Sequence, residues 1–194
     1  MKLIGITGTF GSGKGVVVEI LKKKLDLIYV SARELIIEVA KNEGVIIKDR
    51  DDLREYTDGR NKRGKSLTED VDERYNTKEN ENKLVVFESI RRVKEVEELR
   101  NLFGKDFLFV SVDTPIQLRY DRIKARGSMT DGVSFEEFKK QEELENISDD
   151  HSKMNLYKCG EMADVKILNN GTLEDLEREI EDKIIQKIGS WLVV

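Results

Sequence analysis

The chain has one cysteine, one histidine and one proline in 194 residues. A lone thiol, Cys159, excludes an internal disulfide framework, and together with His151 it supplies too few ligands for a Cys/His zinc site. A reducing, cytoplasmic setting is the expectation. Long hydrophobic runs are also missing. No segment reaches the roughly 18 to 20 apolar residues that span a bilayer, and the opening MKLIGITG lacks the pattern of a signal peptide. Nor is there an excess of one charge. Although 38% of residues are charged, 34 basic against 39 acidic side chains leave a net −5, interleaved along the chain. That balance argues against general attraction to nucleic acid or to an anionic membrane. With Pro115 alone, no low-complexity tract and no repeat, no linker stands out, and one domain is the expectation at this length.

Five short runs rich in β-branched and aromatic residues are present: LIGIT (3–7), LIYVS (27–31), LVVFES (84–89), FLFVSV (107–112) and VKIL (165–168). All but the last are nearly continuous rather than alternating, the mark of strands buried on both faces of a parallel sheet. Helical periodicity fills the intervals. Residues 14–25 put Val17, Ile20, Leu21 and Leu25 on one side, and residues 172–188 put Leu173, Leu176, Ile180, Ile184 and Ile188 on one stripe. Strands alternating with helices predict a three-layer α/β/α sandwich. Two intervals are too long and polar for simple crossovers and predict helical excursions. Residues 44–83 offer few apolar anchors beyond Leu53, Tyr56, Leu67, Val71 and Tyr75. In residues 127–160, Gly127 and Gly132 bracket a turn, and a Ser134/Glu137 capping box precedes a charged helix from about Phe135 to Ile147. Both follow the carboxyl edge of the sheet, where open α/β folds bind ligands.

Gly8-Thr9-Phe10-Gly11-Ser12-Gly13-Lys14 spells GxxxxGK between a predicted strand and a predicted helix. Its glycines let backbone N–H groups converge on phosphate oxygens, the helix N-terminus adds partial positive charge, and Lys14 neutralises the β- and γ-phosphates. The alternative is a glycine-rich turn with an incidental lysine. Gly15 and Val16 then lack the hydroxyl that commonly ligates Mg²⁺, which disfavours a GTPase or a motor-type ATPase. Glu88, at the end of a buried strand beside the loop, is placed to hold Mg²⁺ waters or to orient an acceptor; helix capping by Glu88 or Ser89 is the competing role. Asp113 ends a second strand, but Thr114-Pro115-Ile116-Gln117 reads as a capping pattern, so Asp113 is a secondary metal candidate. Arg119, Arg122 and Arg126 share one helical face, which is equally the pattern of a solvated row.

In these residues the chain resembles the adenylate kinase and dephospho-CoA kinase group of small P-loop kinases. Adenylate kinases commonly write glycine after the loop lysine, as at Gly15; DRIKAR (121–126) resembles the DRIxxR segment that opens their lid; ESIRR (88–92) resembles the DSIR form of dephospho-CoA kinase-like proteins. The family threonine is absent at Val16. The resemblance implies a P-loop NTPase fold with a five-stranded parallel sheet in the order 2-3-1-4-5, and a single kinase domain over 1–194 with an acceptor-binding excursion at about 31–83 and a lid at about 119–160. It implies ATP as donor with Mg²⁺, donor phosphates held by Gly8 through Val16, and catalysis by Lys14, Glu88, Arg122 and Arg126, the Glu88 contact to metal running through water. Ser31, Arg33, Arg60 and Arg91 fall at positions implied to meet the acceptor, although a solvated charged helix accounts equally for Arg60. MADVKILNNGTLEDL (162–176) resembles the dephospho-CoA kinase segment lying against adenine, which implies contacts from Asn170, Gly171 and Thr172; Thr172 is also a helix cap for Asp175. The implied acceptor is a nucleoside or deoxynucleoside monophosphate, with dephospho-CoA next. A nucleotide-binding regulatory module that transfers nothing is the rival from another class, motivated by the missing hydroxyls.

Overall fold

In a computed structural model, describing residues 1–126, 134–146 and 153–192, all five apolar runs form strands. They are β1 (Lys2–Thr7), β2 (Leu27–Ser31), β3 (Leu84–Glu88), β4 (Phe107–Asp113) and β5 (Val165–Leu168). All pair in parallel, in the order β2-β3-β1-β4-β5. The three central strands are buried almost throughout, whereas edge strand β5 alternates buried and exposed positions. That is why its sequence alternates and theirs do not.

Pleating divides the apolar side chains into two layers. Ile4, Ile6, Leu84, Val86, Leu108 and Val110 pack against α1 (Lys14–Lys24) and the C-terminal helical stretch. Leu3, Val85, Phe87, Phe107 and Phe109 face α2 (Ala32–Asn42), α4 (Leu67–Tyr75) and α5 (Val93–Phe103). Both polar intervals carry helices, as expected. α3 (Arg50–Lys62), capped by Asp49, and α4, opened by a Ser66/Glu69 capping box, form the first excursion. Leu67 and Val71 are buried, with Leu53, Tyr56 and Tyr75 packed beside them. α6 (Ile116–Arg126), α7 (Phe135–Asn146) and α8 (Leu156–Glu161) form the second, and the expected Ser134/Glu137 box opens α7. Gly127, Gly132, Ile147 and His151 lie outside the described residues.

The C-terminal stretch departs from a plain helix for a geometric reason. Leu176, Ile180, Ile184 and Ile188 repeat every fourth residue and are all buried. On a helix of 3.6 residues per turn, each four-residue step drifts about 40° off the buried face. The π turn at Glu181–Ile185 after α9 (Leu173–Ile180) takes up that drift and keeps the stripe on the sheet. Leu173, expected on the same stripe, is instead 56% exposed at the first turn. In α10 (Gly189–Leu192), Trp191 packs against the same layer. No helix among the described residues is long and apolar enough to cross a membrane.

Candidate active site

β1 delivers the chain into the loop at Gly8, and α1 begins at Lys14. Gly11 and Gly13 take φ of 78° and 92°, in the left-handed region that favours glycine. Packing adds a second constraint. A Cβ on Gly13 would lie 2.1 Å from Asn169 Nδ2, and one on Gly11 would lie 2.8 Å from Ile123 Cδ1 on α6. Lys14 Nζ lies across the loop, donating to the carbonyls of Gly8 at 2.8 Å and Thr9 at 3.1 Å. The hydroxyls of Thr9 and Ser12 are buried without a hydrogen-bond partner among the described residues. With no acidic residue in the first turn of α1, this is a polar cradle whose donors suit an anion such as a phosphate chain.

The residues after Lys14 are now legible. A Cβ on Gly15 would meet nothing within 4 Å, and Val16 is 44% exposed. Neither position is apolar for packing. Because Gly15 is helical and open, Gly15→Ala should stabilise the fold by about 0.5–1 kcal/mol, measured as a shift in the denaturation midpoint at constant slope.

Glu88 lies beside the loop by register, since β3 pairs Glu88 with Ile6. Its carboxylate accepts from Tyr29 Oη at 2.6 Å and from the Ser89 hydroxyl at 3.3 Å. Tyr29 packs with the α1 layer, which puts Glu88 on that face of the sheet. Asp113 is exposed, accepts from its neighbour's amide (Thr114 N) at 2.8 Å, and lies electrostatically close to Tyr157 on α8, on the other face. The two acids are therefore not brought together. Among the described residues no group of three or more His, Cys, Asp or Glu side chains is arranged to hold a metal ion. A lone carboxylate beside an anion-binding cradle is a donor set that would suit Mg²⁺ held mainly by water.

Arg122 turns inward and donates to the Asn169 carbonyl at 3.0 Å. The side chain of Arg126 lies outside what the structure describes. Ser31 caps α2, accepting from the Glu34 amide at 3.3 Å, and Arg33 beside it is exposed. Arg91 reaches toward the sulfur of Met154, and its carbonyl accepts from the Asn155 amide. Arg60 is only 4% exposed and pairs with Asp70 at 2.9 Å; its Nε and Nη1 have no hydrogen-bond partner among the described residues. Asn170 and Gly171 are exposed, and Thr172 makes the expected capping box with Asp175.

Three site-building residues escaped the sequence pattern. Asn169 donates from Nδ2 to the Ser12 carbonyl at 2.9 Å, tying the turn after β5 to the phosphate loop. Thr114, expected in a cap, uses its hydroxyl at 3.0 Å to the Ser12 and Asn169 carbonyls instead. Arg119, at 4% exposure, donates to the carbonyls of Thr114 and Phe10 and grips Glu142 of α7 with both terminal nitrogens. The DRIKAR pattern begins two residues beyond it, so attention fell on Arg122 and Arg126. The lone thiol is no nucleophile: burial pushes Cys159 up to about 12.

A family model described as "AAA domain" matches residues 4–149. The UPF0200 protein of Thermococcus onnurineus is 30% identical over 96% of this chain and 97% of its own length. The chain belongs to the AAA domain family and to the UPF0200 family. The UPF0200/UPF0201 protein of Archaeoglobus fulgidus, 28% identical, aligns over 96% of this chain but only 56% of its own length, so the chain spans little more than half of that relative. Among solved structures, this UPF0200 chain superposes on TT1252 from Thermus thermophilus with TM-score 0.58, at 20% identity and over 100% of this chain and 98% of that one. Shikimate kinase from Aquifex aeolicus gives 0.54 at 20% identity, covering 99% of both chains. A gluconokinase from Sinorhizobium meliloti gives 0.56 at 19%, covering 92% of this chain and 88% of that one. The fold is that of the P-loop kinases.

Proposed function

We propose that the chain is an ATP-dependent phosphotransferase acting on a nucleotide-type acceptor, a nucleoside or deoxynucleoside monophosphate before dephospho-CoA. The observation that carries it is the phosphate loop with Lys14 across it, set beside Glu88 on one strand and Arg122 on the helix behind. In this reading residues 1–194 act as one domain, with the acceptor bound by the excursion at about 31–83 and covered by the lid at about 119–160. The loop amides and Lys14 hold the donor phosphates. Arg122 and Arg126 meet charge on the transferring group, and the exposed Arg33 with Arg91 places the acceptor. The buried Arg60, already on Asp70, contributes by holding α3 to α4. The turn at Asn170, Gly171 and Thr172, flanked by the exposed Leu168 and Leu173, offers the donor base backbone groups and an apolar rim.

The acceptor phosphate oxygen forms the new bond to the terminal phosphorus of ATP while the bond from that phosphorus to the β–γ bridging oxygen breaks, leaving ADP. An acceptor phosphate is already ionised near neutral pH, so no general base is required and positioning with charge supplies most of the acceleration. Mg²⁺, held through water by Glu88, would supply further neutralisation of the phosphate chain. Turnover of ATP with Mg²⁺ against a panel of nucleoside monophosphates, dephospho-CoA and hydroxyl acceptors tests the reading. Phosphorylation of a monophosphate is expected. Tight ATP binding with no transfer to any acceptor would replace this reading with the regulatory module.

A further inference from the structure

The orientation of the Glu88 carboxylate is fixed by a neighbouring strand. Parallel register sets Tyr29 level with Val86 and Ser31 level with Glu88, so the Tyr29 phenol reaches along β2 by one pleat to meet Glu88 Oε2 at 2.6 Å. The ring is itself held. Its body packs on the apolar layer under α1, and Lys22 Nζ, paired with Glu19 at 2.9 Å, stands 4.1 Å from the ring centroid.

The two carboxylate oxygens are thereby made unequal. Oε2 receives a short charge-assisted bond, whereas among the described residues Oε1 receives the Ser89 hydroxyl at 3.3 Å and no other donor. Ser89 holds a left-handed φ of 74°, pinned by the Ser89 and Ile90 amides, which both donate to the Ile6 carbonyl at the end of β1. A serine kept in that region at a strand end beside a phosphate loop is a place where strain coincides with function. We infer that Tyr29 is a positioning residue: by engaging Oε2 it leaves Glu88 Oε1 as the oxygen that would meet the water shell of the Mg²⁺ accompanying ATP. The inference rests on the proposed function. It also gives a reason why a chain with no hydroxyl at Gly15 or Val16 can still organise the metal, since the carboxylate on the α1 face is held in one orientation.

Calorimetric titration of ATP at increasing Mg²⁺, with wild type, Tyr29→Phe and Glu88→Gln, tests this. Phenylalanine keeps the ring, its packing and the Lys22 contact and removes only the hydroxyl. In Tyr29→Phe the Mg²⁺ concentration giving half the gain in ATP affinity should rise about tenfold or more. Glu88→Gln should shift it at least as far, while in Tyr29→Phe the Mg²⁺-free ATP affinity stays at the wild-type value and the melting temperature falls by only a few degrees. A Tyr29→Phe protein with wild-type Mg²⁺ dependence beside a shifted Glu88→Gln would overturn the inference and leave the kinase reading intact. Equal loss of ATP affinity with and without Mg²⁺ would also overturn it, by making Tyr29 merely structural. ATP affinity in the wild type that does not respond to Mg²⁺ would sink both the inference and the metal part of the proposed function. The Tyr29→Phe shift without transfer to any acceptor would overturn the kinase reading alone.

Discussion

Lys14→Ala should abolish measurable phosphoryl transfer, lowering kcat by at least about 10²–10³-fold, while thermal melting and circular dichroism stay close to wild type. Such a loss corresponds to about 3–4 kcal/mol of transition-state stabilisation. The argument begins in the loop. Lys14 spans it, with its ammonium on the Gly8 and Thr9 carbonyls, so the charge waits where the donor phosphates would lie. Removing it takes away a cation from a site lined by amides and by the hydroxyls of Thr9 and Ser12, which have no partner among the described residues and carry no net charge. The side chain is only partly buried, and α1 is anchored elsewhere by Val17, Val18, Ile20 and Leu21, so the fold should persist. Undiminished turnover in Lys14→Ala would remove the assignment altogether.

Arg119→Met should cost about 3–5 kcal/mol of stability, because it leaves the Glu142 carboxylate buried without its guanidinium partner. For a chain of this size that is a fall in melting temperature of roughly 6–20 °C, readable by calorimetry. Arg119 is 4% exposed and Glu142 is 9%, with Arg119 Nη2 donating to Glu142 Oε1 at 2.6 Å. The same guanidinium satisfies the Thr114 and Phe10 carbonyls, so one side chain joins the loop tip, α6 and α7. Replacing both charged partners with leucine should recover part of the loss, since a buried pair costs nearly as much to desolvate as it returns. The two carbonyls would remain unsatisfied, which keeps the recovery incomplete. A double variant as unstable as Arg119→Met would show that those carbonyls, rather than the stranded carboxylate, dominate.

The sheet was open to reading from sequence because its information is local. Each strand is an apolar run bounded by polar residues, and the GxxxxGK segment fixes the strand-to-helix turn by its own glycines. Capping boxes at Ser134 and Thr172 likewise act within four residues. What escaped depends on pairs far apart in the chain. Asn169 reaches Ser12 across 157 positions, Arg119 reaches Phe10 across 109, and Tyr29 reaches Glu88 across 59. No periodicity or short motif encodes such a meeting. Asp113 was half legible for a related reason: its place at a strand end could be read, but the face it takes is set by pleating relative to Glu88 on a strand two places away in the sheet. The buried Arg60 shows the converse, since a run as charged as GRNKRG reads as solvated until α4 supplies Asp70.

The burial of Cys159 has an experimental consequence. Its high ionisation point and lack of solvent access make the native chain silent to thiol reagents under ordinary labelling conditions. A single cysteine introduced at the exposed Leu173, with a second at the exposed Tyr157, would therefore carry donor and acceptor dyes without background from the native thiol. The separation between the first turn of α9 and α8 then becomes an optical ruler, readable in one molecule at a time as nucleotides are added.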